Sequence, residues 1–301
     1  MPARVERTVE QRILEAASTL PDYGGVTGWA ALRWMRARWF EGLRDGFLER
    51  PVPLVTAGTH IRSQPGIAVS KERLNPTDLI VVDTVSLTSA VRSTWFEMRY
   101  AASQRDAAVT LSMAAYSDLV SVDELAEYAY EHPGWTGAPL CRGAIPLAFE
   151  NAWSPREVDI AIVWVVLADL PRPLLNRPVF DRAGRHIGTP DMIDPVAGLI
   201  VQYDGSDHLR LARRAEDVLG EERYRAHGLE CVTVLAPHLR DRASLAARFV
   251  EARQRARFEA ESSRSWTLEP PGWWIPTHTV ALRRALDDEA RARVLRYRLA
   301  A

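Results

Sequence analysis

Residues 188–208 contain the side chains that could best do chemistry, in the sequence GTPDMIDPVAGLIVQYDGSDH. Two apolar runs, 192–193 and 199–201, flank the turn-forming residues 195–198. This pattern predicts a β-hairpin with a four-residue connection. The acidic residues at its ends would then lie at one end of a sheet.

Three polar residues of this hairpin could share a site. Asp191 lies in the first predicted strand, and Gln202 and Asp204 lie at the end of the second. Because side chains alternate along a strand, Gln202 and Asp204 point to the same face, and strand pairing can place Asp191 beside them. Carboxylate and amide oxygens followed by His208 could hold a divalent metal. Aspartate beside proline or glycine is also common turn chemistry, so the same residues could form only a loop.

Composition sets the limits of these hypotheses. The chain has 301 residues, which is long enough for two domains, with 47% hydrophobic and 26% charged residues, as in soluble globular proteins. A net charge of −1 gives no general attraction to nucleic acid. Lys71 is the sole lysine, so none can serve near the acidic residues.

The sequence also indicates a compartment. Its two cysteines, Cys141 and Cys231, match neither a disulfide framework nor a zinc-site spacing. No apolar run approaches the roughly 20 residues that span a bilayer, and the N-terminus does not have the pattern of a signal peptide. We therefore expect a cytoplasmic protein with no membrane segment.

The first half, residues 1–150, reads as a mostly helical domain with a few short strands. The predicted helices are 6–20, 29–43, 90–100, 106–116, 121–132 and 139–150, and the predicted strands are 53–55, 66–70 and 79–82. Ser121 and Glu124 form a capping-box pattern. The first two helices could belong to a helix-turn-helix, although their tryptophans favour a packing subdomain.

A second domain is predicted over residues 151–262. Ser154 and Pro155 read as the N-cap and first residue of a helix over 155–167, with Glu157 in its first turn. Glu157 could there serve only to complement the helix dipole. A strand over 174–181, the hairpin, a helix over 209–227, a strand over 231–235 and a helix over 240–262 follow. The predicted fold is therefore mixed α/β, with an α-β-β-β-α-β-α core.

The remaining residues, 263–301, contain a Trp- and Pro-rich segment followed by a predicted helix over 277–299. The segment could pack on a domain surface or present aromatic side chains to a partner.

This order of elements, with Glu157, Pro190-Asp191 and Gln202-Tyr203-Asp204-Gly205 followed by His208, resembles the restriction-endonuclease-like PD-(D/E)xK superfamily. It resembles most closely the small Vsr-like endonuclease domains of bacterial proteins, over residues 151–255. Residues 83–92 resemble a segment of AbiEi-type antitoxin proteins, whose relatives often contain such an endonuclease-like domain.

The resemblance implies a site for Mg²⁺ or Mn²⁺ in which Asp191 and Asp204 hold the metal. Glu157 and the amide oxygen of Gln202 would complete its coordination, directly or through water. The family usually has a glutamate at this position. Gln202, unlike a glutamate, brings no negative charge. His208 would then act as general base or leaving-group donor.

Three arginines after His208 could contact DNA phosphates or could form the solvated face of a helix: Arg210, Arg213 and Arg214. The first functional hypothesis is therefore a metal-dependent DNA endonuclease. The alternatives are a non-catalytic, DNA-binding transcriptional regulator or antitoxin of the AbiEi type, and a protein-interaction module that uses the Trp-rich ends.

Overall fold

The computed structural model describes residues 7–44, 46–62, 64–205, 220–296 and 298. The chain is mixed α/β, which confirms the predicted fold class. It divides into two compact units, Met1–Glu150 and Asn151–Ala301. In the part of the chain that the structure describes, no helix is long and apolar enough to cross a membrane.

The N-terminal unit contains six α-helices among its described residues. They are α1 (Val9–Ala17), α2 (Gly28–Trp34), α3 (Ala90–Arg99), α4 (Gln104–Tyr116), α5 (Val122–Glu131) and α6 (Ala138–Ala144). The capping box is confirmed, since the Ser121 hydroxyl accepts the Glu124 N–H at 3.1 Å and the Glu124 carboxylate accepts the Ser121 N–H at 2.7 Å.

Strands of the same unit form a mixed sheet and a hairpin. The strands are β1 (Gly25–Val26), β2 (Leu43–Arg44), β3 (Leu48–Glu49), β4 (Val52–Val55), β5 (Ile67–Ser70), β6 (Leu79–Val82) and β7 (Val85–Thr88). The sheet order is β5-β4-β1-β7-β6, and β2 pairs with β3. The helix predicted over 29–43 was too long. Arg36 has a φ of 68°, which ends the helical path, and Leu43 already belongs to a strand.

The C-terminal unit follows the predicted order with one insertion. Its elements are α7 (Pro155–Ile162), β8 (Leu174–Leu175), β9 (Val179–Asp181), β10 (His186–Gly188), β11 (Met192–Asp194), β12 (Leu199–Asp204), α8 (helical over the described residues 220–226), β13 (Glu230–Leu235), α9 (Arg242–Arg255), β14 (Trp266–Thr267), α10 (Val280–Arg284) and α11 (Asp288–Val294). The helices predicted over 240–262 and 277–299 were therefore too long, and the second is two short helices.

Two sheets organise this unit. The central sheet has the order β13-β12-β11-β8, and β10, β9 and β14 form a smaller one. The hairpin of β11 and β12 is antiparallel with the predicted four-residue connection, and β13 runs parallel to β12. The single strand predicted over 174–181 is wrong, because Asn176 takes a φ of 48° and separates β8 from β9.

Apolar side chains pack the central sheet against the neighbouring elements of this unit. On one face, seven residues form a buried cluster: Val179, Ile187, Ile193, Ile200, Tyr224, Leu229 and Trp266. The π-helical turn that continues α7, Val163–Leu167, packs on α9 through Trp164 and Phe249, whose ring centroids lie 5.3 Å apart. The ends of β11 and β12 are thereby held in a fixed position.

The hairpin connection depends on the buried carboxylate of Asp194, which is 3% exposed. Its Oδ1 accepts the N–H groups of Val196 and Ala197 at 2.9 and 3.1 Å, and its Oδ2 accepts Nε of Arg253 at 2.8 Å. This side chain therefore joins the hairpin to α9.

Replacing Asp194 by alanine should lower the free energy of unfolding by about 3 kcal/mol, because it leaves a partly buried guanidinium and two turn N–H groups without their acceptor. Urea denaturation measures the change. The exposed N-cap variant Asp287→Ala is the control and should lose about 1 kcal/mol. Equal losses in the two variants would contradict this account.

Candidate active site

Glu157 is positioned by the N-terminus of α7. The Ser154 hydroxyl accepts the Glu157 N–H at 3.2 Å, and Pro155 occupies the first helical position, where a missing N–H costs nothing. The Glu157 carboxylate turns back over this end. Oε1 accepts the Ser154 hydroxyl at 2.9 Å, and Oε2 accepts the Trp153 N–H at 2.7 Å. The N-cap prediction at Ser154 is confirmed.

Asn176 provides a third donor to the same carboxylate. Its Nδ2 donates to Glu157 Oε2 at 2.6 Å and to the Asn151 carbonyl at 2.8 Å. In return, Asn151 Nδ2 donates to the carbonyls of Leu175 and Asn176 at 2.7 and 3.0 Å. These two asparagines tie the end of β8 to the segment before α7.

The side-chain oxygen of Asn176, Oδ1, differs from its amide nitrogen in its hydrogen bonding. Both hydrogens of Nδ2 point at acceptors, which fixes the orientation of the amide. Its Oδ1 is buried, and among the described residues no group donates a hydrogen bond to it. A buried acceptor without a donor is destabilising unless a cation or another donor approaches.

Asp191 lies directly before β11 and completes the pair of carboxylates. Its carbonyl accepts the Asn176 N–H at 3.1 Å, and its Oδ2 accepts the Tyr203 N–H at 2.6 Å. Met192 pairs with Leu175 on one side and with Val201 on the other. Asp191 therefore lies level with Asn176 and Gln202 across the central sheet.

The two carboxylates interact electrostatically. Glu157 is 8% exposed. Burial, and next the neighbouring charge of Asp191, raise the pKa of Glu157 to about 7 although three hydrogen bonds favour its ionised form. Glu157 therefore changes its protonation state near neutral pH, and a cation between the two groups would favour the ionised state of both.

Gln202 and Asp204 lie at the end of β12 and are half-buried. They pair with Thr233 and Leu235 of β13, and alternation places both on one face of the sheet. Within the described ranges, no group of three or more His, Cys, Asp and Glu side chains is placed to hold a metal ion. The structure thus brings Glu157 and Asp191 together, whereas the metal ligation predicted for Asp204 stays a prediction.

The other predicted site residues fall in a range that the structure does not describe. His208, Arg210, Arg213 and Arg214 all lie outside the described residues, and their roles stay predictions.

Sequence reasoning missed three residues around the carboxylates: Asn151, Asn176 and Tyr224. The tyrosine packs on Gly188, where an added Cβ would lie 2.2 Å from its hydroxyl oxygen. Burial raises the pKa of Tyr224, and the charge of Asp191 acts in the same direction. Only Asn176 had a local signal, since asparagine tolerates the left-handed backbone conformation better than most residues.

The chain matches no protein-family model, no curated protein and no solved structure.

Removing the charge of Asp191 should lower the pKa of Glu157 from about 7. In Asp191→Asn, the amide oxygen can still accept the Tyr203 N–H, while the like charge beside Glu157 is gone. Carbon-detected NMR titration of the Glu157 carboxyl measures the shift, with Asp241→Asn, at the exposed N-cap of α9, as control. An unchanged pKa in Asp191→Asn would show that the charges do not interact.

The same pKa predicts how stability depends on pH. Because the folded protein raises the pKa of Glu157 above its ordinary 4.5, this group contributes stability below about pH 4.5, which is lost as pH rises through about 7. Urea unfolding at pH 5 and pH 8 should show a smaller loss in Asp191→Asn than in the wild type. A larger loss in the variant would contradict the assignment.

Proposed function

We propose that residues 151–262 form a metal-dependent DNA endonuclease domain that hydrolyses phosphodiester bonds beside Glu157 and Asp191. The observation that supports this most is the buried position of Glu157 next to Asp191, where burial, and next the charge of Asp191, raise the pKa of Glu157 to about 7. The proposal places the protein in the cytoplasm with DNA as its partner.

The arrangement of elements adds support. Three antiparallel strands follow α7, and β13 then joins the sheet parallel to β12 after α8. The acidic residues lie at one end of adjacent strands, as the resemblance to restriction-endonuclease-like domains implies. The β9–β10 insertion leaves this order of the central sheet unchanged.

The donor atoms fit a hard cation. Mg²⁺ and Mn²⁺ favour oxygen ligands. The proposed ligands are the carboxylates of Asp191 and Asp204, with Glu157 and the amide oxygen of Gln202 completing the coordination directly or through water. Oδ1 of Asn176 is a buried oxygen that lacks a donor among the described residues. Gln202 brings no charge, so the carboxylates of Asp191, Asp204 and Glu157 would provide the attraction.

A bound metal would supply Lewis-acid stabilisation of a phosphate oxygen and lower the pKa of a bound water. The chain would contribute fixed geometry, since Tyr203 orients Asp191 and Asn176 orients Glu157. Ionised Glu157 predominates only above about pH 7. In this proposal, His208 accepts the proton of the attacking water, and Arg210, Arg213 and Arg214 hold phosphates.

A specific observation also favours the second candidate, a non-catalytic DNA-binding regulator or antitoxin. Glu157 already accepts three hydrogen bonds, from Trp153, Ser154 and Asn176. A carboxylate with these partners can serve as a structural cap alone. The neutral Gln202 at the position of a usual acidic ligand points in the same direction.

Cleavage of plasmid and single-stranded DNA separates the two candidates. The wild type should cut with Mg²⁺ or Mn²⁺ and faster at pH 8 than at pH 6, because Glu157 must be ionised. Asp191→Ala should cut at least about a hundredfold more slowly, as expected when a metal ligand is lost. Asp287→Ala is the control. DNA binding without cutting under either metal would support the regulator, and unchanged cutting by Asp191→Ala would exclude this site.

Replacing Gln202 by glutamate tests the ligand set separately. The added charge should tighten Mn²⁺ binding in isothermal titration calorimetry by about tenfold, whereas the matched change Gln104→Glu in the N-terminal unit should have no effect. Unchanged Mn²⁺ affinity in Gln202→Glu would remove this residue from the proposed site.

A further inference from the structure

A cavity of about 490 Å³ lies in the C-terminal unit. Its walls come mainly from residues 268–278 and 293–296, which follow the predicted endonuclease domain, and from residues 176–178. This volume falls within the roughly 300–1,000 Å³ of small-molecule sites. We call it the aromatic cavity.

The aromatic cavity has a strongly positive lining. Arg177, Arg293 and Arg296 line it, and no aspartate or glutamate is among the described residues of its wall. Arg177 is half-buried, and within the described ranges its Nε has no hydrogen-bond partner. Burial lowers the pKa of this guanidinium. A desolvated cation of this kind is stabilised by an anionic ligand, and guanidinium groups match phosphate well.

Two tryptophans, Trp273 and Trp274, also line the aromatic cavity. Trp273 is 62% exposed. Its ring meets the Trp274 ring edge-on at a centroid distance of 5.6 Å, and Trp274 in turn packs on Phe180 and His186 at 5.2 and 5.1 Å. Packing on Trp274 and Phe180 therefore supports the Trp273 ring, while most of its surface remains open. An exposed, well-supported indole is suited to stack on a nucleobase.

The aromatic cavity also shares residues with the carboxylate site. Trp153 and Asn176 line the cavity. The same two residues donate to Oε2 of Glu157, through the Trp153 N–H at 2.7 Å and Asn176 Nδ2 at 2.6 Å. A ligand in the cavity would therefore lie next to the proposed site of phosphodiester chemistry.

We propose that the aromatic cavity binds one nucleotide, with its base stacked on Trp273 and its phosphate paired with Arg177. The bound nucleotide can be either a free mononucleotide or one nucleotide of a DNA strand, since both present the same base and phosphate. This binding requires only the cavity and goes beyond the proposed cleavage, because it needs neither a metal nor an intact carboxylate pair.

Binding is tested on the full chain in EDTA, by tryptophan fluorescence and calorimetry with deoxyadenosine 5′-monophosphate. Deoxyadenosine and inorganic phosphate should each bind at least about tenfold more weakly, because each lacks one of the two contacts. Trp273→Ala and Arg177→Gln should each weaken binding of the monophosphate by about tenfold. Trp39→Ala and Arg242→Gln make the same two changes at exposed residues that do not line the cavity, and they should leave binding of the monophosphate unchanged.

A 5′-phosphorylated hexadeoxyadenylate distinguishes the sources. Tighter binding of this strand than of the monophosphate supports a strand nucleotide, and equal binding supports a free nucleotide. The proposal is overturned if neither probe binds, or if Trp273→Ala and Arg177→Gln bind like the wild type while circular dichroism shows them folded. If the protein cleaves DNA but binds neither probe, the nuclease proposal holds and the nucleotide-binding proposal fails. If it binds a probe but does not cleave DNA, the nucleotide-binding proposal holds and the nuclease proposal fails.

Discussion

The burial of Glu157 beside Asp191 is the constraint on which the candidate site depends. A buried carboxylate is costly unless hydrogen bonds or a cation compensate its charge. Three donors hold Glu157, yet burial and Asp191 still raise its pKa to about 7. These three donors thus offset the cost of burying ionised Glu157 only in part, and this supports the proposal of a cation beside it.

The architecture of the C-terminal unit places these groups together through the ends of its strands. Asn176 ends β8 in a left-handed conformation, and its backbone N–H holds the Asp191 carbonyl while its side chain holds Glu157. Farther along the hairpin, Asp194 fixes the connection and pairs with Arg253 of α9. The aromatic cavity meets this arrangement at Asn176, so chemistry and ligand binding would share one rigid wall.

Local signals predicted much of this fold. The N-cap at Ser154, the capping box at Ser121 and the four-residue connection of the β11–β12 hairpin depend on neighbouring residues, and all three are confirmed. Asn176 divides residues 174–181 between two sheets, and it exchanges hydrogen bonds with Asn151, which lies 25 residues before it. No local pattern records such a contact. For the same reason, Glu157 and Asp191 were predictable as candidates, but the role of Asn176 was not.

Whether Glu157 and Asp191 hold a metal together can be seen in a crystal structure of the protein grown or soaked in Mn²⁺ at pH 8, with anomalous diffraction to locate the ion. One Mn²⁺ peak is expected in direct contact with carboxylate oxygens of Glu157 and Asp191. The peak should disappear in Asp191→Asn crystals. A wild-type structure with no Mn²⁺ between these two carboxylates, or with Mn²⁺ retained there in Asp191→Asn, would show that they do not form a metal site.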